Sequence, residues 1–205
     1  ACTSCHDPHG KEGNPLLLWG VGDTRGGKVF INDAPVLDSP GRRTAGNTPV
    51  SDTSHSAFGS GMSPWCANCH TDFLDGDKMH PVDQGLGSRI AENYNKYVST
   101  DVIDPGNGPI SYWEHVPFET RQAQDALDTN STAGPTSDSQ VMCLSCHRAH
   151  ASAFPDNGRW YFAATFINEE SHPLITDGNA SAEDVDNKYY GKVWTDEQRS
   201  LCNKC

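Results

Sequence analysis

Every cysteine of the 205-residue chain belongs to a Cys-x-x-Cys pair: Cys2/Cys5, Cys66/Cys69, Cys143/Cys146 and Cys202/Cys205. His6, His70 and His147 directly follow the first three pairs. With 9 histidines among 205 residues, three such neighbours arise by chance with a probability on the order of 10⁻⁴. Cys-x-x-Cys-His is the attachment sequence for c-type haem. Its two thiols add across the porphyrin vinyl groups, and its histidine falls under the iron as the proximal axial ligand. Zinc also uses paired Cys-x-x-Cys units, but needs no histidine directly after each. Disulfides suit an exported chain, yet such close pairs rarely serve as structural bridges.

Two motifs carry a further histidine. Cys143-Leu144-Ser145-Cys146-His147-Arg148-Ala149-His150 and Cys2-Thr3-Ser4-Cys5-His6-Asp7-Pro8-His9 both read Cys-x-x-Cys-His-x-x-His. A spacing of three predicts that His150 lies on the same side of a helical turn as His147. One iron cannot take both, because its axial ligands approach from opposite faces of the ring. The second histidine is therefore expected to reach a neighbouring haem. The second motif has Phe73 at that position. In the fourth, Cys202-Asn203-Lys204-Cys205, the expectation is that the chain continues past 205 with a haem-ligating histidine. A lysine there would instead indicate a catalytic haem of the nitrite-reductase kind.

Four haem c groups with two axial histidines each need eight ligands. His6, His70, His147 and the inferred residue 206 are the proximal four, leaving His9, His55, His80, His115, His150 and His172 for four distal places. His9 and His150 rank first from their motifs, His172 is a lesser candidate and His115 the last. Closed coordination favours electron transfer over substrate chemistry, so no catalytic residue is assigned.

Composition bears on the core. Only 35% of residues are hydrophobic, while 19 are Gly and 13 Pro. Covalently held haems would supply the missing apolar bulk. The expected fold is mostly irregular coil with short α-helices and few short strands, forming a single haem-centred tetrahaem cytochrome c domain over 1–205. The net charge of −12 argues against nucleic acid, whose binding rests on clustered Lys and Arg. No apolar run approaches the ~20 residues of a membrane span, 15–21 being the best. No signal peptide is visible, so the chain reads as processed. Haem attachment to such motifs occurs outside the cytoplasm, placing the protein in a periplasm or on a cell surface.

Local signals predict a short strand at Val29-Phe30-Ile31, a turn at Asp38-Ser39-Pro40-Gly41, and a helix over 88–98 with Ile90, Tyr94, Tyr97 and Val98 on one face. A weaker helix is expected over 119–127, a surface loop over 128–139, and a last helix from Thr195 into Cys202. The aromatic run 159–167 reads as packing against haem edges. Asn130-Ser131-Thr132 and Asn179-Ala180-Ser181 match the glycosylation acceptor pattern, a triplet common by chance.

Together the residues 2–10, 62–66, 80–83, 141–150 and 154–160 resemble multihaem c-type cytochromes with doubled Cys-x-x-Cys-His motifs. The likeness is greatest to the OmcE-type tetrahaem cytochromes that polymerise into extracellular filaments. The resemblance implies that His55 and His80 are distal ligands, ahead of His172. It implies a homopolymer in which His9 ligates the terminal haem (Cys202/Cys205) of the adjoining protomer, while His150 ligates the haem on Cys66/Cys69 in its own chain. Stacked haem pairs would then fall at 2–3 and 4–1′, with T-shaped contacts at 1–2 and 3–4. Electrons would pass to extracellular acceptors or other redox proteins. A discrete periplasmic tetrahaem carrier and a multihaem oxyanion reductase are the alternatives, since haem motifs alone do not fix function.

Overall fold

Frequent glycine and proline leave room only for short elements. The structure, a computed structural model, describes residues 1–10, 14–40, 54–74, 81–82, 84–95, 116–150, 152 and 154–163. Its chain is mostly coil with short helices and two small antiparallel sheets. Two compact units are present, each gathered from separate stretches. The first comprises Ala1–Gly85, Pro117–Ser131 and Asp138–Cys143, the second Leu86–Val116, Thr132–Ser137 and Leu144–Cys205.

In the first unit β1 (Thr24–Arg25) and β2 (Lys28–Val29) form a hairpin, with Thr24 opposite Val29. Gly26 and Gly27 link them at φ +55° and +79°, the double positive φ that a two-residue type I′ turn requires. The ladder reaches Phe30, whose amide donates to the Asp23 carbonyl (2.9 Å). The strand expected through Ile31 stops there, because the Ile31 amide is taken by Asn68 Oδ1 at 2.8 Å. β3 (Val36–Asp38) pairs with β4 (Ala57–Ser60) across a bulge between Val36 and Leu37, so Asp38 closes a strand where a turn was expected to begin.

Two-stranded sheets are marginal alone, and buried side chains support these. Leu37, Phe58, Met62, Leu127 and Met142 are buried in this unit, as are Leu18, Trp19 and Phe30 near its N-terminus. α1 (Met62–Cys66) follows β4 directly and delivers the second cysteine motif; Pro64 sits in its first turn, where no intrahelical N–H is lost.

The helix expected over 119–127 does not form. Glu119 is extended, bridging Phe58 on one side and Gln140 on the other. Arg121 takes φ +63°, which a right-handed helix cannot hold, and only the 3-10 turn Gln124–Ala126 remains. Backbone pairing with β4 outweighs a weak local preference.

In the second unit α2 (Gly87–Asn95) buries Ala91 and Tyr94, and Ile90 is half-buried on the expected face. It occupies much of the predicted 88–98; Tyr97 and Val98 lie outside the described residues. The stretch 132–137 straps this helix: the Gly87 amide donates to Ser137 (2.9 Å) and Asn95 Nδ2 to Pro135 (2.9 Å). Trp160 is buried and meets Phe162 edge-on at 5.7 Å. Among the described residues no helix is long and apolar enough to cross a membrane.

Candidate haem-attachment sites

Each described Cys-x-x-Cys pair lies on one helical turn: the 3-10 turn Cys2–Ser4, the end of α1 at Cys66, and α3 (Cys143–Cys146). In the first two motifs the histidine amide closes the turn onto the first cysteine, His6 N to Cys2 O and His70 N to Cys66 O, both at 3.0 Å. The two thiols thus stand one turn apart on one side, as attachment to a single planar ring requires.

The path of the chain beyond the histidine divides the motifs. After His6 the chain leaves the helix and pairs with a returning segment. His6 bridges Leu18, the Asp7 amide donates to Leu17 O (2.6 Å), and the Trp19 amide donates to Cys5 O (3.1 Å). The third motif repeats this pattern: His147 bridges Gly158, Arg148 N meets Asn157 O (2.7 Å), and Arg159 N meets Cys146 O (2.8 Å). Leu17 and Asn157 both take φ +53° at the bend of the return. The second motif, which has Phe73 in place of a second histidine, instead continues into the 3-10 turn Thr71–Phe73, and the Phe73 ring lies 6.0 Å from that of His70.

The expected helical juxtaposition of His147 and His150 is therefore not what forms. α3 ends at Cys146, and His147 is already extended. His150 and His9 lie beyond the break and are exposed.

The return segments also orient the proximal rings. His6 Nδ1 lies 2.6 Å from the Leu16 carbonyl, and His147 Nδ1 lies 2.8 Å from that of Asp156. A carbonyl only accepts, so Nδ1 carries the proton and Nε2 the lone pair that an iron takes. This tautomer, with paired thiols on the adjoining turn, fits a covalently held haem c. Among the described residues no group of three or more His, Cys, Asp or Glu is placed to hold a metal.

The motifs also meet one another. The Cys143 amide donates to Ser63 Oγ (3.1 Å), and Ser63 is a fully buried residue three before Cys66 in α1. The Cys66 thiol is pushed well above its ordinary range by its hydrogen bond with Cys143, then by burial, then by the charges of Cys143, Cys5 and Glu119. Burial raises the Cys5 thiol, and Cys69 raises it further. Thiols of the first three motifs thus share one electrostatic neighbourhood within the first unit.

Among the expected distal ligands, His55 is buried, with Nδ1 3.2 Å from the Ser56 carbonyl and Nε2 2.9 Å from that of Ser131. His80, His115, His172, Cys202, Cys205 and the helix expected from Thr195 lie outside the described residues. Sequence reasoning missed Ser63, which docks Cys143, and Asn68, whose amide receives Ile31 N and Asn32 N and donates to Asn32 O and Trp65 O. Asn68 stands inside a motif, but nothing in its type marks it as a latch.

No protein-family model matches the chain. The C-type cytochrome OmcS of Geobacter sulfurreducens is 32% identical over 267 aligned residues, which take in 100% of this chain and 61% of OmcS. The chain is similar to a filament-forming c-type cytochrome. An outer membrane cytochrome S filament from the same organism superposes with a TM-score of 0.71 at 30% identity, over 100% of this chain and 65% of that one. A second structure, of OmcS nanowires studied by cryo-electron microscopy, gives 0.71 at 28% identity and the same coverage. The chain thus spans a little under two thirds of the relatives it matches. The likeness found is to OmcS, where the sequence motifs pointed to the OmcE type.

Proposed function

We propose that the chain is a multihaem c-type cytochrome that conducts electrons along a row of bis-histidine haems, as the repeating subunit of an extracellular filament. The observation that carries this reading is the adjacency of Cys66 and Cys143. Groups held by thiols so close belong to one electron path. Haem supplies a one-electron iron couple; the chain's residues hold, orient and space it.

Four such groups would be held at Cys2/Cys5, Cys66/Cys69, Cys143/Cys146 and Cys202/Cys205. His6, His70 and His147 would ligate from the proximal side, and His9, His55, His80 and His150 from the distal side, with His172 in reserve. For His55 the Nδ1 contact with Ser56 suits ligation, and Nε2 would exchange the Ser131 carbonyl for iron. His9 would act across the subunit boundary, and its exposure supports that role. Neither unit is a continuous stretch of chain, which favours one tetrahaem domain over two separable ones. The filament structures of OmcS support the homopolymer and the cell-surface location. Physiological partners would be other redox proteins or extracellular acceptors.

The test is the oxidised spectrum of the exported, haem-loaded protein together with its particle size. Wholly low-spin haem, unmoved by cyanide, in long polymers agrees with the proposal. A cyanide-sensitive haem points to the oxyanion reductase, and a low-spin monomer to a discrete periplasmic carrier.

A further inference from the structure

The two doubled motifs share a substitution that their sequences conceal. In an uninterrupted helix the residue after the proximal histidine would donate its amide to the carbonyl four residues back. For Asp7 that acceptor is Thr3, and for Arg148 it is Leu144, in each case the first residue between the two cysteines. Both amides go instead to the return segment, at Leu17 and Asn157. The carbonyls they forsake are filled by side chains. Trp19 Nε1 donates to Thr3 O at 3.0 Å, and Arg159 Nε donates to Leu144 O at 2.6 Å.

Trp19 and Arg159 hold the same place in their repeats, since each also donates its backbone amide to the second cysteine's carbonyl. An indole and a guanidinium have little in common beyond a planar N–H at the end of an apolar stem. In the first repeat Arg25 stacks on the outer face of the Trp19 ring at 3.5 Å, and the ring is 5% exposed. The second motif has no second histidine to redirect, and its chain continues into a 3-10 turn.

We propose that Trp19 and Arg159 are positioning residues that end the attachment helix at its proximal histidine and so aim His9 and His150 at a haem other than their own. By satisfying the vacated carbonyl, each side chain removes the penalty for leaving the helix. Without it, the Arg148 amide returns to the helical acceptor and His150 swings back over its own motif. In the first repeat Pro8 already bars a further helical turn, so losing the Trp19 donor leaves the Thr3 carbonyl unfilled and loosens the exit toward His9. The inference rests on the haem-ligand roles given to His9 and His150.

The test uses the haem-loaded protein. Arg159→Met deletes the donor at similar length and is expected to produce a high-spin haem with a cyanide-dependent Soret shift. His150→Ala should produce the same signal, the double variant no more than His150→Ala alone, and Arg159→Lys, which keeps an N–H donor, should restore the low-spin spectrum. Trp19→Phe should match His9→Ala in the same way. Low-spin, cyanide-insensitive spectra for both Arg159→Met and Trp19→Phe, while the alanine variants give the signal, overturn the proposal. If the alanine variants themselves stay low-spin, the ligand assignment has failed rather than the clamp. In that case, or if the donor-deleting variants do not fold, hydrogen exchange on the wild-type protein decides. Slow exchange at the Trp19 indole and Arg159 Nε supports the clamp, and free exchange overturns it.

Discussion

The indole N–H of Trp65 donates to the main-chain carbonyl of Trp19 at 2.7 Å. Trp65 directly precedes Cys66, and Trp19 lies on the segment that holds the first motif, so this bond sets the spacing between two attachment sites. Phe30 packs on Trp65 at a centroid distance of 6.1 Å and keeps the indole in place. Trp65→Phe retains the ring and removes the donor. The expected cost is about 1 kcal/mol of stability, or about 2–4 °C in thermal midpoint for a chain of this size. A calorimetric scan checks it, and the Soret circular dichroism should weaken as the haems proposed for the first two motifs lose their fixed relation.

Glu119 is fully buried, and its Oε1 accepts the Met62 amide at 2.7 Å, at the first residue of the helix that ends in Cys66. Glu119→Ala strands that amide in the core. A buried donor left without its acceptor costs about 1–3 kcal/mol, so the denaturant midpoint should fall by a corresponding amount. Glu119→Gln keeps an acceptor, and equilibrium unfolding should show it recovering much of the loss.

Gly158 is where the return segment of the third motif pairs with His147. A Cβ there would meet the Trp160 carbonyl at 2.7 Å and the Phe162 ring at 2.9 Å. The same Phe162 ring lies edge-on to His147 at 5.4 Å. Gly158→Ala should therefore cost about 1–3 kcal/mol through overpacking, and shift the electron paramagnetic resonance of the haem proposed for His147 by tilting that ring. An unchanged unfolding curve would mean that the ring has room to move aside.

His9 is exposed, its amide bonded to Asp7 Oδ1 at 3.0 Å within a turn. That turn fixes the backbone around the exposed imidazole. His9→Ala should leave haem loading intact, break the polymer into protomers and expose one high-spin haem per chain. Size-exclusion chromatography with an absorption spectrum on each fraction reads all three.

The spacing of cysteine and histidine carries its chemistry in the sequence because attachment needs that order of residues on one turn. Coil with short elements was legible for a similar reason: few apolar residues and many glycines and prolines cannot build long ones. What stayed hidden depends on contacts distant in sequence. Glu119 is drawn out of a weak helix by pairing with Phe58 and Gln140, partners that local pattern does not mark. The break in the helix after Cys146 is hidden because His147 and His150 have helical spacing. The return segment that unwinds it begins nine residues further on. Trp19 showed only as part of an apolar run, and Arg159 as the start of an aromatic one. Their shared task appears only when the hydrogen bonds of both repeats are set side by side.

Cryo-electron microscopy of the purified, haem-loaded protein tests the central claim most directly. The account predicts a filament in which each protomer carries haem density at Cys2/Cys5, Cys66/Cys69, Cys143/Cys146 and Cys202/Cys205, continuous from subunit to subunit, with His9 reaching across the boundary. Separate particles, or a gap in the row of haems wide enough to interrupt it, would contradict that account.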